Sequence, residues 1–199
     1  MKNLHALVIG ATGATGIELV QLLLKDDDFS QVSIFVRTAP NIKHKKLKTH
    51  VIDFKELEKN KDIIKGDVLF SALGTTKKDA GGKDQQYEID YSYQYEFAKI
   101  AAENGVGQLS LVSSVGANSK SSFFYPKIKG ALEEAVKKLD FKKINIFQPP
   151  MLIRQPDLMR EGEKSQKPLA VEALAEKMLK IAKTPSKEKA TTFLPKNLF

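Results

Sequence analysis

Short apolar runs alternate along this sequence with stretches of helical periodicity, and no other feature limits the fold as strongly. The runs that predict buried strands are 4–9, 32–36, 67–72, 108–113 and 143–147, with a weaker run at 49–52. The stretches that predict helices are 14–25, 55–64, 85–104, 125–139 and 170–183. Strands that alternate with helices form a parallel sheet with crossover helices on both faces. We therefore expect an α/β fold with a doubly wound parallel sheet in three α/β/α layers.

One domain accommodates the whole chain, 1–199, because a chain of 199 residues can bury a sizeable core without metals or crosslinks. Residues 148–169 interrupt the alternation with four prolines and no clear periodicity. They follow the last strong strand, on the carboxyl side of the sheet, where open α/β sheets bind their ligands. We expect this irregular segment to form a substrate-side wall, and we expect a late edge strand at 191–195.

The amino-acid composition limits the kinds of site that the protein can contain and indicates its cellular compartment. The chain has no cysteine, which excludes disulfides, thiolate metal sites and a cysteine nucleophile. Its three histidines show no metal-ligand spacing, so we expect no metal. The first apolar run is short and is followed by no small-residue cleavage site, and nothing approaches the ~20 apolar residues of a membrane span. We expect a soluble, cytoplasmic protein without membrane contact.

The net charge of +8 raises the question of a nucleic-acid partner. Only three arginines occur, although arginine supplies most specific base contacts, and the lysines are spread along the chain apart from a short cluster at 43–48. A lysine-rich solvated surface is therefore the better interpretation. Tyr87, Tyr91 and Tyr95 recur every four residues and share one helix face. That face packs in the core or forms a helix-to-helix dimer, so both a monomer and a homodimer stay open.

A glycine turn, "GATGATG" at 10–16, joins the first predicted strand to the first predicted helix. Gly10 ends the strand, Gly13 lets the backbone approach a ligand closely, and Gly16 lets the helix pack against the sheet. Free N–H groups and the positive dipole end at the helix start favour a pyrophosphate. The spacing is G-x-x-G-x-x-G rather than the standard G-x-G-x-x-G, but the position of the turn indicates a dinucleotide site.

The end of the second strand, "FVRT", indicates which dinucleotide is bound. An NAD site usually places an acidic residue there for the ribose 2′-hydroxyl, whereas this chain has Arg37 and Thr38, which suit a 2′-phosphate. We therefore expect NADP. Asp53, in "VIDF" after the third strand, is placed to accept from the adenine amino group or, equally, to cap a helix.

The loop after the fourth strand, "SALGTT" at 71–76, adds a second approach to the cofactor. Its Leu73 and Gly74 would let the backbone pass close to the ribose and phosphates, although a glycine between a strand and a loop is also an ordinary turn. Asp90, on the next predicted helix, is open to two interpretations: support of the cofactor site or a structural role.

A tyrosine and a lysine follow the strand-end serines Ser113 and Ser114. Tyr125 and Lys129 are four residues apart, so on a helix they share a face. A phenol is a weak acid at neutral pH, but a neighbouring ammonium stabilises the phenolate. A tyrosine so placed protonates a carbonyl oxygen while a nicotinamide delivers hydride and a serine hydroxyl holds the same oxygen. The alternative is a surface lysine beside a packed tyrosine.

In this order the motifs resemble the short-chain dehydrogenase/reductases, specifically their atypical NAD(P)-binding branch, with the closest likeness to the Tat-interactive-protein-like oxidoreductases. The stretches that carry the resemblance span about residues 4–163: "GATGATG", "FVRT", "VIDF", "LGTT", "LVSSVGANSKSSFFYPKIKG" and "FQPPMLIR". The resemblance implies a Rossmann fold, NADPH and a Tyr/Lys/Ser set, here Tyr125, Lys129 and Ser114. The positions it implies for the cofactor, together with those derived above, are Gly10, Thr12, Gly13, Ala14, Thr15, Gly16, Arg37, Thr38, Asp53, Leu73, Gly74, Ser113, Tyr125, Lys129, Leu152 and Arg160.

Two departures from the family pattern bear on the substrate. "FQPP" stands where relatives commonly have "FRPG", so Pro150 replaces a flexible glycine beside the nicotinamide, and the chain after it is short. The expected function is that of an NADP-dependent oxidoreductase acting on a small carbonyl or alcohol. Two alternatives share the fold: a non-catalytic, redox-sensing NADPH-binding regulator, and an epimerase or dehydratase that uses the same Tyr/Lys pair.

Overall fold

Seven parallel strands form the central sheet of the protein. The computed structural model describes residues 2–153 and 169–198, and in them the strand order is β3-β2-β1-β4-β5-β6-β9. Every neighbouring pair in this sheet is parallel, as predicted for a doubly wound α/β fold. The strands are β1 (Leu4–Ile9), β2 (Phe29–Val36), β3 (Leu47–Val51), β4 (Val68–Ser71), β5 (Gln108–Val112), β6 (Lys143–Phe147) and β9 (Ala190–Phe193), with β7 (Leu152–Ile153) and β8 (Leu169–Ala170) paired separately.

Helices connect these strands on both sides of the sheet. They are α1 (Ala14–Lys25), a 3-10 helix (Phe54–Ile63), α2 (Lys77–Ala80), α3 (Lys83–Tyr87), a π turn (Glu88–Ser92), α4 (Tyr93–Glu103), α5 (Phe124–Val136), α6 (Val171–Lys183) and a final 3-10 turn (Pro195–Asn197). In the part of the chain that the structure describes, none of them is long and apolar enough to cross a membrane.

Two apolar cores lie on opposite faces of the sheet. In β1, Leu7 and Ile9 point into the core formed with α4, α5 and the first 3-10 helix. Ala6 and Val8 point into the other core, which contains α1 and α6. Because both faces are covered, the central strands β1 and β4 are apolar at every position but one each. The predicted three-layer α/β/α arrangement is confirmed.

The stretch predicted as one helix over 85–104 is helical from residue 83 to residue 103, but its geometry changes along its length. It consists of α3, the π turn and α4, and the π turn contains the fully buried carboxylate Asp90. The stretch predicted at 55–64 is a 3-10 helix with non-helical backbone at Glu56. Periodicity alone does not separate α, 3-10 and π geometry, because the 3-10 and π forms each differ from the α-helix by less than one residue per turn.

The strand boundaries differ from the prediction mainly at β2, which begins at Phe29 rather than at residue 32. The first residues of β2 include the polar Ser30 and Gln31, so this part of the strand does not form an apolar run. The late strand expected at 191–195 is present as β9, parallel to β6. Of the irregular segment 148–169, the structure describes 148–153 and 169, which include β7 and the first residue of β8, and 154–168 lie outside the described residues.

The chain reverses its direction of winding between β1 and β4, which are neighbours in the sheet. The turn after β1 therefore meets the loop after β4. Gly10 has a positive φ of 77°, and a Cβ there would overlap the backbone of Ala72. A Cβ on Gly16 would overlap the carbonyl of Gly10. Two glycines thus let α1 start directly against this edge of the sheet.

Gly16→Ala should therefore destabilise the fold, because the added methyl group meets rigid backbone rather than a side chain that can move. We expect the free energy of unfolding to fall by about 2 kcal/mol or more, and Tm by roughly 4–8 °C. Gly107→Ala is the matched control, since a Cβ at Gly107 has its nearest neighbour at 3.8 Å. Thermal melts followed by circular dichroism compare the two; equal melting temperatures would contradict the prediction.

Candidate functional site: a cavity at the carboxyl edge of the sheet

A cavity of about 420 Å³ opens at the carboxyl edge of the sheet. The turn after β1, the loop after β4, the end of β5, α5 and the segment after β6 all contribute to its walls. Among the residues predicted from the sequence, the cavity is lined by Gly13, Ala14, Thr15, Leu73, Gly74, Ser113, Ser114, Tyr125, Lys129 and Leu152. The tertiary structure therefore brings together motifs that are far apart in sequence.

The other predicted positions lie elsewhere. Gly10, Thr12 and Gly16 belong to the same glycine turn but do not line the cavity. Arg37 and Thr38 are exposed, just beyond the carboxyl end of β2. Arg160 falls outside the residues that the structure describes.

The start of α1 is suited to an anion. Its N-cap is Gly13, which supplies no side-chain hydrogen bond, and its first turn contains no acidic residue. The first four N–H groups of a helix have no intrahelical acceptor, and they coincide with the positive end of the helix dipole. Since Gly13, Ala14 and Thr15 line the cavity, these residues fit the pyrophosphate of a dinucleotide.

Charged groups cluster beyond the ends of β2 and β3. Asp53 caps the 3-10 helix, and its Oδ1 accepts from the Lys55 N–H at 2.9 Å, as the capping interpretation expects. Burial raises the pKa of Tyr93 to about 12, and the Glu88 and Asp53 carboxylates add to the shift, while Arg37 opposes it. The Arg37 guanidinium and the Asp53 carboxylate therefore act on the same phenol at this edge.

Tyr125 and Lys129 are one turn apart on α5, and both line the cavity. The Tyr125 side chain is partly open to solvent, whereas Lys129 is only 2% exposed. The Lys129 Nζ donates to the carbonyl of Val112, at the end of β5, at 3.3 Å. The lysine is therefore part of the cavity floor rather than a surface lysine.

Asp90 lies beneath the same cavity and is completely buried. Its Oδ1 is 3.6 Å from the Lys129 Nζ, and its Oδ2 accepts from the Thr75 N–H at 3.2 Å. Burial raises the pKa of the Asp90 carboxyl, and the Lys129 ammonium opposes that shift. The sequence leaves open whether Asp90 supports the cofactor site or has a structural role. In the structure, the Asp90 carboxylate lies beside Lys129, which lines the cavity.

The two strand-end serines have different surroundings. Ser113 is buried, and its hydroxyl donates to the carboxylate of Glu133, which also accepts from Gln148 Nε2 at 2.9 and 3.1 Å. Ser114 is less buried and its Oγ donates only a long hydrogen bond, of 3.3 Å, to the Val115 carbonyl. Of the two serine hydroxyls, that of Ser114 is thus the one without a strong protein partner among the described residues.

Sequence reasoning missed Glu133 and Gln148. One signal was available, because Glu133 follows Lys129 by one helical turn and so continues the Tyr125–Lys129 face. Gln148 carries no comparable signal, since it follows β6 and meets α5 only in the folded chain. Together they connect the loops that follow the neighbouring strands β5 and β6, and both loops line the cavity.

A family model described as NAD(P)H-binding matches residues 10–185. The chain belongs to this NAD(P)H-binding family. The match includes the glycine turn, the cavity walls and α6, and it fixes the cofactor class as a nicotinamide dinucleotide.

Curated relatives of this NAD(P)H-binding chain support the same assignment. Protein HTATIP2 of Rattus norvegicus is 33% identical over 167 residues, which are 82% of this chain and 69% of the relative. Protein FMP52-1, mitochondrial, of Scheffersomyces stipitis is 37% identical over 155 residues, 75% of this chain and 68% of the relative. The family resemblance predicted from the motifs is confirmed.

Solved structures show the same fold at low sequence identity. A UDP-N-acetylglucosamine 4-epimerase from Methanobrevibacter ruminantium has a TM-score of 0.78 at 15% identity, covering 98% of this chain and 76% of its own. A short chain dehydrogenase from Burkholderia cenocepacia in complex with NADP has a TM-score of 0.72 at 14% identity, covering 96% of this chain and 88% of its own. The Rossmann fold is therefore shown, and the likeness carries no activity with it.

The expectation of a cytoplasmic protein is wrong by these comparisons. Relatives from Scheffersomyces stipitis, Candida albicans and Meyerozyma guilliermondii are all named mitochondrial. The physical reason is that the absence of cysteine, on which the expectation depended, is compatible with any compartment.

Gln148→Leu should lower stability, because it removes both amide hydrogen bonds from the buried Glu133 carboxylate. We expect the free energy of unfolding to fall by about 1–3 kcal/mol. Gln108→Leu is the matched control, since the Gln108 Nε2 is buried and has no hydrogen-bond partner among the described residues. Urea denaturation of both variants tests this; a Gln148→Leu protein as stable as Gln108→Leu would refute it.

Proposed function

We propose that this protein is an NADP-dependent oxidoreductase that transfers hydride between NADPH and a small carbonyl or alcohol substrate. One observation carries the proposal: the Tyr125 phenol, the Ser114 hydroxyl and the buried Lys129 ammonium line the same cavity as the uncapped start of α1. A proton donor, a hydrogen-bond donor and an anion site thus open into one space.

Each residue has a defined part in reduction of a carbonyl. NADPH supplies the hydride when it is bound. The Tyr125 hydroxyl transfers its proton to the carbonyl oxygen, and the Ser114 hydroxyl donates a hydrogen bond to the same oxygen. The Lys129 ammonium stabilises the phenolate that remains, because an opposite charge nearby favours the ionised form. In alcohol oxidation the same proton moves in the opposite direction.

The segment after β6 supplies the apolar wall of the site. Pro149, Pro150, Met151 and Leu152 line the cavity, and Val171 at the start of α6 completes this side. An apolar wall excludes water from the reacting centre and favours a substrate with an apolar substituent.

A non-catalytic NADPH-binding regulator is the second candidate. The observation that favours it is Pro150 in the cavity wall, because a proline restricts the backbone where the family pattern has a flexible glycine. Turnover separates the two candidates: an oxidoreductase oxidises NADPH in step with its substrate, whereas a sensor binds NADPH without consuming it.

Arg37 should make the protein prefer NADPH over NADH. A charge-assisted contact to the 2′-phosphate contributes ~1.5–3 kcal/mol, so NADPH should bind at least about tenfold more tightly. Isothermal titration calorimetry with both cofactors measures the ratio. Arg37→Ala should bring it close to one, whereas Lys45→Ala, at an exposed cation in the β2–β3 connection, should preserve it. Equal affinities in the unmodified protein would overturn the assignment of NADP.

Tyr125→Phe should remove catalysis and preserve the fold. The change deletes only a hydroxyl group, so NADPH affinity and Tm should stay within error while NADPH-dependent reduction of small aldehydes, ketones or quinones falls at least ~10²-fold. The rate is measured by the loss of nicotinamide absorbance.

Tyr87→Phe is the matched control for Tyr125→Phe. Tyr87 is exposed, stacks on Tyr91 with ring centroids 5.0 Å apart, and does not line the cavity. Its variant should keep full turnover. If Tyr125→Phe also kept full turnover on a substrate that the unmodified protein reduces, the oxidoreductase proposal would lose its proton donor and the regulator would become the first candidate.

A further inference from the structure

The apolar wall of the cavity is formed by residues 149–152 and Val171, and none of these side chains is polar. Two cations also line the cavity, but they belong to other elements: Lys77 begins α2, and Lys129 lies on α5. Among the described residues that line the cavity there is no carboxylate. A ligand group that faces the apolar wall therefore meets no charge that would favour an ionic substituent.

Exposed apolar side chains surround the mouth of the same cavity. The exposed fraction is 37% for Met151, 45% for Val115 and 74% for Phe123, which is the most exposed large apolar side chain among the described residues. Met151 lines the cavity, Val115 directly follows the lining residue Ser114, and Phe123 precedes the lining residue Tyr125 by two positions. We refer to Val115, Phe123 and Met151 as the apolar rim.

The segments that carry the apolar rim are in direct contact with one another. The Val115 N–H donates to the Pro149 carbonyl at 3.0 Å, so the loop after β5 lies beside the apolar wall. The same loop contacts the first turn of α5, where the Asn118 N–H donates to the Pro126 carbonyl at 2.9 Å. The apolar rim thus continues the apolar wall from the cavity to the surface.

The other exposed apolar side chains show no such grouping. Apart from Tyr125 in the cavity wall, each of them belongs to a different part of the chain: Ile17, Val51, Ile63, Tyr87 and Leu194. Single exposed apolar residues are ordinary in soluble proteins, whereas a group of them beside a concave apolar wall marks a ligand site. The position of the apolar rim therefore indicates what the cavity takes in.

We propose that the substrate of this site is a carbonyl compound or alcohol that carries an unbranched apolar chain. The inference rests on the proposed function. The reacting group lies at Tyr125 and Ser114, and because the nicotinamide occupies the same cavity, the apolar chain runs along the apolar wall and out over the apolar rim. In reduction, the carbonyl carbon gains hydride from NADPH, which becomes NADP⁺, and the oxygen gains the Tyr125 proton, so an aldehyde becomes a primary alcohol.

Met151 is the residue that sets this selectivity. It is part of both the apolar wall and the apolar rim, so a chain that leaves the cavity passes its side chain. A methionine side chain is unbranched and flexible, and it adapts to apolar groups of different length. The small carbonyl group of the proposed reaction is then the head of a longer molecule.

The first test is a series of unbranched aldehydes from propanal to decanal, reduced by the full chain with NADPH. The value of kcat/KM should rise by about two- to fourfold for each added methylene group, because each one leaves water for an apolar surface. Succinic semialdehyde, which ends in a carboxylate, should be a poorer substrate than butanal. A flat series, or a preference for succinic semialdehyde through Lys77, would overturn the inference and leave the oxidoreductase standing.

Variants locate the selectivity. Met151→Gln keeps a side chain of similar length and should lower the ratio of kcat/KM for octanal to that for propanal by at least about tenfold. Phe123→Gln, at the surface, should lower the same ratio by about threefold. Ile63→Gln is the matched control, since Ile63 is 40% exposed at the end of the first 3-10 helix and does not line the cavity. Equal ratios in all three variants would contradict the role of the apolar rim.

The second test does not depend on turnover. Octanamide and butanamide carry a carbonyl group that NADPH does not reduce, and isothermal titration calorimetry measures their binding to the NADPH-loaded protein. Octanamide should bind at least about tenfold more tightly than butanamide, and Met151→Gln should remove most of this difference. Equal binding of the two amides would overturn the inference. Selective octanamide binding by a protein that reduces no aldehyde would support the apolar site and contradict the proposed function instead.

Discussion

The close approach of three backbone segments at the carboxyl edge is the constraint on which the rest of the structure depends. The turn after β1 meets the loop after β4, and α1 begins against both, because Gly10 and Gly16 have no Cβ. This contact occurs where the winding of the sheet reverses, between β1 and β4. Diverging loops leave a crevice at such a point, and the cavity lies there.

The floor of the cavity differs from the two apolar cores in the kind of side chain that it buries. The cores bury aliphatic and aromatic side chains on both faces of the sheet, with no need for directional contacts. Beneath the cavity the chain instead buries Asp90, Lys129, Ser113 and Glu133. Buried polar groups require partners with defined geometry, so this region is specified by hydrogen bonds and charge rather than by volume. Such a floor holds side chains in fixed positions beneath a ligand.

Two separate sets of polar contacts stabilise different segments of the cavity wall. Glu133 connects Ser113 after β5 with Gln148 after β6, while Asp90 and Thr75 connect the π turn with the loop after β4. Helix α5 takes part in both, since Glu133 and Lys129 lie one turn apart on it. The helix that carries Tyr125 is therefore anchored on two sides, which gives the phenol a defined position in the cavity wall.

The sequence by itself determined the fold class, the positions of the seven main strands and the glycine turn, because these follow from apolar periodicity and from backbone requirements that are local in sequence. Its motifs indicated the family by resemblance. It also indicated the residues of the candidate site, whose roles stay predictions. Only the tertiary structure decided that the helix at 85–104 contains a π turn, that Asp90 faces Lys129, and that Gln148 binds Glu133. The two side-chain contacts join residues more than ten positions apart in the sequence. The π turn differs from an α-helix by less than one residue per turn. Hydrogen bonds and ion pairs of that kind have no periodic signature, because they are set by how the elements pack.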